Sequence, residues 1–126
     1  DKHRKRANEI ASIVVIGDVT DRNVVIIDDI CDTGGTLAKS AGLLKEKGAR
    51  SVRALITHPV LSGKAYENIE NSVLEELVVC DTIPLKKETS KIKPVTVAEL
   101  FAVAIRNAYE NKSITSLFIH SQRKDK

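Results

Sequence analysis

Short hydrophobic runs alternate with polar segments along this chain, and the spacing of the runs predicts its elements. Residues 11–16 and 24–27 are apolar runs rich in β-branched side chains, which favour strands. The turn-forming segment 18–23 between them predicts a hairpin or two neighbouring strands. The second run shows no alternation, which is typical of a strand covered on both faces, as in a parallel sheet.

The segment after the second run predicts a βαβ unit. Apolar residues recur at helical spacing over 36–47, and Gly48 follows as a residue that readily ends a helix. Residues 51–57 then predict another strand. Strand, helix and strand joined by short connections form a right-handed crossover in nearly all proteins. The pattern therefore predicts an α/β fold with a mainly parallel sheet flanked by helices.

Later segments continue this alternation. They predict a short helix over 64–71, a strand over 77–80, a charged loop over 86–93, a helix over 97–109, and a polar turn with a short strand over 111–119. Thr96 and Glu99 have the spacing of a capping box at the start of the longer helix. Asn68 and Asn71 are expected to cap or turn the shorter one.

Composition narrows the class of protein. The chain has 126 residues, of which 42% are hydrophobic, and this suits one compact domain or a large piece of one. Cys31 and Cys80 form no C-x-x-C motif, which favours a reducing, cytoplasmic location. No run approaches the eighteen or so apolar residues of a membrane span. Two tyrosines and two phenylalanines are too few aromatic rings for a single-strand nucleic-acid binder.

The net charge of +3 lies at the chain ends. Residues 1–6 carry +3 and residues 123–126 carry +2, so the segment between them carries −2. A mildly acidic body does not suit a polyanion-binding surface. The chain opens on Asp1 and contains no methionine, so we expect upstream sequence to be missing.

Most of the chemistry-bearing residues lie between the second run and the following helix. They are Asp28 and Asp29 at the strand end, followed by Asp32, Thr33, Gly34, Gly35 and Thr36. Open α/β sheets bind ligands at the carboxyl ends of strands, and a glycine-rich loop that starts a helix favours an anion there. The carboxylates would repel a bare polyphosphate but accept hydrogen bonds from sugar hydroxyls, so a sugar phosphate fits best.

Other interpretations of this loop are weaker. No lysine follows the glycines, so the loop is not a Walker loop, and it is not the G-x-G-x-x-G fingerprint. A glycine-containing turn with solvated acids is the remaining structural alternative.

Residues 25–37 resemble the signature of type I phosphoribosyltransferases and of phosphoribosyl diphosphate (PRPP) synthetases. Five further segments are similar to PRPP synthetases, the ribose-phosphate diphosphokinases: 1–4, 56–63, 67–72, 76–84 and 113–118. The resemblance covers the carboxyl-terminal part of that family, a little less than half of a member. It implies an incomplete type I phosphoribosyltransferase-like domain over 9–120, with 1–8 as the stub of a mobile catalytic loop and 121–126 as a polar tail.

The family resemblance also implies an activity, namely transfer of a diphosphoryl group from ATP to ribose 5-phosphate with Mg²⁺, giving PRPP and AMP. Asp28 and Asp29 would hold the ribose hydroxyls, and loop 32–36 would hold the 5-phosphate. Lys2 and Arg4 would be catalytic cations that close over the ATP phosphates, with His3 where the family usually has arginine. The main Mg²⁺ ligands are expected upstream, so no metal ligand is assigned to this chain.

Other implications concern regulation and assembly. Ser113, Thr115 and Phe118 match a family segment of a regulatory ADP or phosphate site, although a plain polar turn is an equal alternative. The family forms homo-oligomers, dimers assembled into hexamers. Without the first strand and helix of the domain, a sheet edge or face should be uncovered, and the isolated 126 residues should be inactive. His58 is expected to be a hydrogen-bonded structural histidine.

Alternative functions stay open at this point. A phosphoribosyltransferase that consumes PRPP would share the loop, although residues 2–4 and 81–84 argue against it. A non-catalytic, synthetase-associated regulatory homologue is a third possibility, against which the retained Lys2, Arg4 and loop residues argue. Nucleic-acid binding and membrane binding are not expected.

Overall fold

Four parallel strands form one sheet in the computed structural model, which describes residues 13–118. In chain order the elements are β1 (Asn23–Cys31), α1 (Gly35–Glu46), β2 (Ser51–Pro59), α2 (Ala65–Glu70), β3 (Glu76–Cys80), β4 (Ile92–Val95), α3 (Ala98–Tyr109) and a 3₁₀ turn (Thr115–Leu117). The strand order is β1-β2-β3-β4, and each neighbouring pair is parallel. The predicted α/β class and parallel sheet are confirmed.

The hydrophobic core lies between one face of the sheet and the helices α1 and α2. Alternate residues of the central strands point into it, as the two-residue period of a strand requires. The most completely buried side chains are Ala41, Val52, Ala54, Ala65, Ile69 and Leu77. Gly48 ends α1 with a φ of 95°, which confirms its predicted place after the helix.

The opposite face of the sheet carries exposed apolar side chains. Val25 and Ile27 of β1 are 50% and 77% exposed, and Leu55 of β2 is 41% exposed. Away from the sheet, Phe101 of α3 is also half-exposed, and no residue of that helix is buried. The second covering layer that the unbroken apolar run of β1 predicts is therefore absent from residues 13–118.

Two strand predictions are wrong at the edges of the sheet. Residues 13–16 form no strand, and Ile16 is 95% exposed, because the segment has no neighbouring strand to pair with; residues 11 and 12 lie outside the described range. Conversely, β4 occupies part of the predicted charged loop. Pro94 is tolerated there because β4 is an edge strand and needs no hydrogen bond from that nitrogen on its open side.

The ends of α3 also differ from expectation. Thr96 Oγ1 accepts the N–H of Ala98 at 3.1 Å, but no reciprocal bond from Glu99 completes a capping box among the described residues. Instead, the Asp81 carboxylate accepts the N–H of Val97, the residue just before α3, at 2.9 Å. After α3, the described part of segment 111–119 ends in the 3₁₀ turn rather than in the predicted strand, and Ile119 lies outside the described range.

Candidate functional site

A cavity of about 310 Å³ opens at the carboxyl end of β1, where the chain turns into α1. Its polar lining consists of Asp28, Asp32, Thr33, Gly34, Thr36 and Ser40. Apolar side chains, including Ile26 and Ile56, also line it. The cavity therefore combines polar and apolar lining at the edge where open α/β sheets bind ligands.

The start of α1 forms one wall of this cavity and offers unused hydrogen-bond donors. The first N–H groups of a helix have no partner within it. Gly34 stands at the helix start with a φ of 74°, and no side chain caps the helix in the described structure. The first turn also contains no acidic residue. Free N–H groups and the positive end of the helix dipole together favour an anion at this position.

Two carboxylates of the predicted site lie on the same cavity. Asp28 extends from the face of β1 that carries Ile26, and one of its oxygens accepts the N–H of Asp29 at 2.9 Å. Asp32 accepts a hydrogen bond from the hydroxyl of Ser62. Each carboxylate therefore has one oxygen engaged by a neighbouring protein group, Asp28 by the N–H of Asp29 and Asp32 by the hydroxyl of Ser62.

The remaining predicted loop residues separate into two groups. Thr33, Gly34 and Thr36 line the cavity. Asp29 does not line it, because alternation along β1 places this residue on the opposite face of the sheet from Asp28. Gly35 does not line the cavity either; it is the first residue of α1.

Asn68 does not have the predicted capping role. Its side-chain amide donates to the carbonyl oxygen of Thr33 at 2.8 Å, thirty-five positions away in the sequence. Asn71, by contrast, follows α2 as its C-cap residue, as expected. Ser62, Asn68 and the cavity-lining Ser40 were not identified from the sequence as part of the site, since no local motif marks them.

Cys31 lies beneath the loop and is 4% exposed. Burial raises the pKa of the Cys31 thiol, and the nearby Asp32 carboxylate raises it further, although a hydrogen bond from the N–H of Gly34 acts in the opposite direction. The thiol is thus uncharged at neutral pH and suited to packing rather than to nucleophilic chemistry. His58 is hydrogen-bonded to the hydroxyl of Thr82 at 2.8 Å, which confirms its predicted structural role.

Five predicted site residues remain. Lys2 and Arg4 lie outside the described residues. Ser113, Thr115 and Phe118 form a local turn in which the Ser113 hydroxyl donates to the Thr115 hydroxyl at 2.8 Å. Phe118 donates its N–H to the Thr115 carbonyl, and none of the three residues lines the cavity.

The donor set around the cavity does not make a complete metal site. Within residues 13–118, no group of three or more histidine, cysteine, aspartate or glutamate side chains could hold a metal ion. The residues that line this cavity also include no lysine or arginine. Mg²⁺ needs six oxygen ligands and is commonly held by one or two carboxylates together with substrate phosphates, so the described chain alone does not provide a cage for it. None of the helices in this part of the chain has the length and apolar character needed to cross a membrane.

Comparison with known proteins assigns the chain to a family. A family model described as the phosphoribosyl synthetase-associated domain matches residues 3–119. Proteins named ribose-phosphate pyrophosphokinase from Wolinella succinogenes and Campylobacter jejuni are each 56% identical over 119 residues, which is 94% of this chain and 38% of each relative. The chain therefore spans well under half the length of these curated relatives.

A solved structure supports the same placement. The crystal structure of phosphoribosylpyrophosphate synthetase from Mycobacterium smegmatis superposes with a TM-score of 0.73 at 35% sequence identity. The match covers 76% of this chain and 33% of that one.

Proposed function

The chain belongs to the phosphoribosyl synthetase-associated domain family, and from this we propose that it forms the ribose 5-phosphate site of a ribose-phosphate diphosphokinase. The parent enzyme would transfer the diphosphoryl group of ATP to ribose 5-phosphate. One structural observation supports the proposal above the others, namely that the Asp28 carboxylate and the uncapped start of α1 share one cavity. An anion-binding helix start beside a hydrogen-bond acceptor matches a ligand with a phosphate at one end and hydroxyls at the other.

Each group in the cavity has a role in this proposal. The N–H groups at the start of α1 and the hydroxyls of Thr33 and Thr36 would hold the 5-phosphate. Asp28 would accept hydrogen bonds from the ribose hydroxyls. The family resemblance also assigns Asp29 to the ribose. Because Asp29 lies on the opposite face of β1 from Asp28, it would have to contact the ribose from that opposite face. Fixing the sugar at both ends would orient its anomeric hydroxyl, which is the main contribution a binding site makes to such a transfer.

The chemical step would take place at the other end of the sugar from the 5-phosphate. The anomeric oxygen would attack the β-phosphorus of ATP, and the bond from that phosphorus to the oxygen it shares with the α-phosphorus would break. AMP would leave with the bridging oxygen and the electrons of the broken bond, and the proton of the anomeric hydroxyl would pass to solvent. Lys2 and Arg4 would offset the developing negative charge. Mg²⁺, when bound, would neutralise the ATP phosphates, with its main protein ligands outside this chain.

We also propose that the parent protein is a cytoplasmic homo-oligomer, formed of dimers that assemble into a hexamer. Both cysteines are free, which suits a reducing compartment. The oligomer follows from family resemblance alone. Because the chain spans 38% of its relatives, we propose that these residues alone do not turn over ATP.

Calorimetric titration with ribose 5-phosphate tests the binding proposal directly. We expect wild-type protein to bind, and Asp28→Ala and Thr33→Val each to weaken binding by roughly tenfold, the effect of losing a hydrogen bond to a charged group. Asp18→Ala is a matched control, because Asp18 is an exposed carboxylate that lies before β1 and pairs with the N–H of Thr20. Equal affinity in all four proteins would contradict the proposed cavity.

Product analysis on the parent enzyme separates this reaction from its main alternative. A diphosphokinase releases AMP from ATP, whereas a phosphoribosyltransferase releases free diphosphate from PRPP. Formation of diphosphate without AMP would refute the proposed reaction while leaving ribose 5-phosphate binding intact.

A further inference from the structure

A loop that binds an anion through N–H groups must turn its carbonyl oxygens away, because their lone pairs repel the ligand. Three consecutive carbonyls, from the last residue of β1 into the loop, accept hydrogen bonds from the segment that follows β2. Leu61 N–H donates to Cys31 O at 3.1 Å, Ser62 N–H donates to Asp32 O at 3.0 Å, and Asn68 Nδ2 donates to Thr33 O at 2.8 Å. The third of these bonds alone comes from a side chain.

The main-chain conformation at Leu61 allows the first two bonds, those to Cys31 O and Asp32 O. Leu61 has a φ of 47°, which is uncommon for a residue with a branched side chain, and it is 1% exposed. A conformation of this kind persists where surrounding structure fixes it. The neighbouring N–H groups of Leu61 and Ser62 then lie alongside the loop, and any residue other than proline at these positions could donate in the same way.

The Thr33–Gly34 peptide is different, because a specific side chain fixes it. The carbonyl and the N–H of one trans peptide point in opposite directions. Asn68 holds the carbonyl side, so the N–H of Gly34 points away from α2. Glycine accepts either orientation of the preceding peptide at little steric cost, so Gly34 itself does not select one.

The packing of α2 against Gly34 sets how close Asn68 lies to the loop. A Cβ placed on Gly34 would lie 3.3 Å from Cγ1 of Ile69 and 3.5 Å from the carbonyl oxygen of Ala65. Helix α2 therefore packs so closely on the loop at Gly34 that an added Cβ would crowd it. Asn68 lies on the same helix and is half-buried, with its amide donor directed at the Thr33 carbonyl.

We propose that Asn68 is a positioning residue for ribose 5-phosphate, which acts by locking the Thr33–Gly34 peptide with its carbonyl outside the cavity. This inference rests on the proposed function. Loss of the amide donor allows the peptide to turn its carbonyl toward the phosphate. The fold remains intact and loses only the contribution of this one hydrogen bond, because Asn68 is not part of the buried core.

Calorimetry with ribose 5-phosphate, paired with thermal unfolding, tests this role. We expect Asn68→Ala to raise Kd about two- to tenfold, the factor that corresponds to one net hydrogen bond. Asn68→Asp is expected to raise it further, because a carboxylate facing Thr33 O repels both that carbonyl and the ligand. Asn68→Gln retains a donor and should recover part of the affinity. Asn71→Ala is the matched control, since Asn71 ends the same helix and, among the described residues, makes no hydrogen bond to the loop.

The outcomes distinguish the two proposals. Binding by wild type with unchanged Kd in Asn68→Ala and Asn68→Asp would overturn the role of Asn68 alone. A weaker Kd that Asn68→Gln does not improve would also overturn it. So would a fall in Tm well beyond the roughly 4–8 °C expected for one lost hydrogen bond, because that pattern indicates damaged packing. Absence of ribose 5-phosphate binding by wild type would overturn the proposed function, and the role of Asn68 with it.

Discussion

Replacing Gly34 by alanine tests whether backbone geometry at the start of α1 stabilises the fold as described. Gly34 has a φ of 74°, and a left-handed conformation costs a residue with a Cβ about 1–2 kcal/mol. Alanine also restricts the unfolded chain, which offsets about 0.4–1 kcal/mol of that cost. The new Cβ would meet Cγ1 of Ile69 at 3.3 Å, and Ile69 is fully buried, so it has little room to move. We expect a net loss of about 1 kcal/mol in the free energy of unfolding.

Gly42→Ala is the matched control, because it makes the same chemical change in the same helix. Gly42 lies inside α1, and nothing lies within 4 Å of the place where its Cβ would be. Alanine in a helix interior is better than glycine by about 0.5–1 kcal/mol, so this variant should be more stable than wild type.

Urea unfolding followed by circular dichroism measures both variants. Their free energies of unfolding should differ by nearly 2 kcal/mol, which separates the two midpoints by roughly 1 M at the usual urea dependence for small proteins. Gly34→Ala should also weaken ribose 5-phosphate binding, whereas Gly42→Ala should not. A Gly34→Ala protein as stable as Gly42→Ala would refute the assigned backbone conformation and the close approach of α2.

Two further predictions concern titratable groups. Ellman's reagent should modify Cys80 well before Cys31, because burial covers the Cys31 sulfur and raises the pKa of its thiol; equal rates in the native protein would contradict this. The hydrogen bond from Val97 N–H lowers the pKa of Asp81 below its ordinary value of 3.8, so the carboxylate stabilises the start of α3 above that pH and ceases to do so as the pH falls through the lowered value. The urea midpoints of wild type and Asp81→Ala should therefore differ at pH 7 and converge as the pH falls below 3.8 through the lowered pKa, and a constant difference would count against this account.

Periodicity in the sequence predicts the helix α1 and the central strands, but it fails at the edges of the sheet, where the presence of a neighbouring strand decides the outcome. The helix α1 and the strands β1, β2 and β3 follow from unbroken or helical apolar patterns. In contrast, residues 13–16 are as apolar as a strand but find no partner, whereas β4 contains Lys93 and Pro94 and still pairs with β3. A strand exists only when a neighbour accepts its hydrogen bonds, and that neighbour is not visible in a local window.

The same distinction explains which parts of the site were predictable. The loop residues are contiguous and carry their own chemistry, so strand, acids, glycines and helix together indicate an anion site. The segment that braces the loop begins at Leu61, about thirty positions later, and carries no motif. Its neighbourhood follows from topology, since β1 and β2 are parallel neighbours and their carboxyl ends meet at one edge. Polar residues just after β2 are therefore candidates for contact with the loop. Only side-chain packing, here the close approach of α2 to Gly34, selects Asn68 among them.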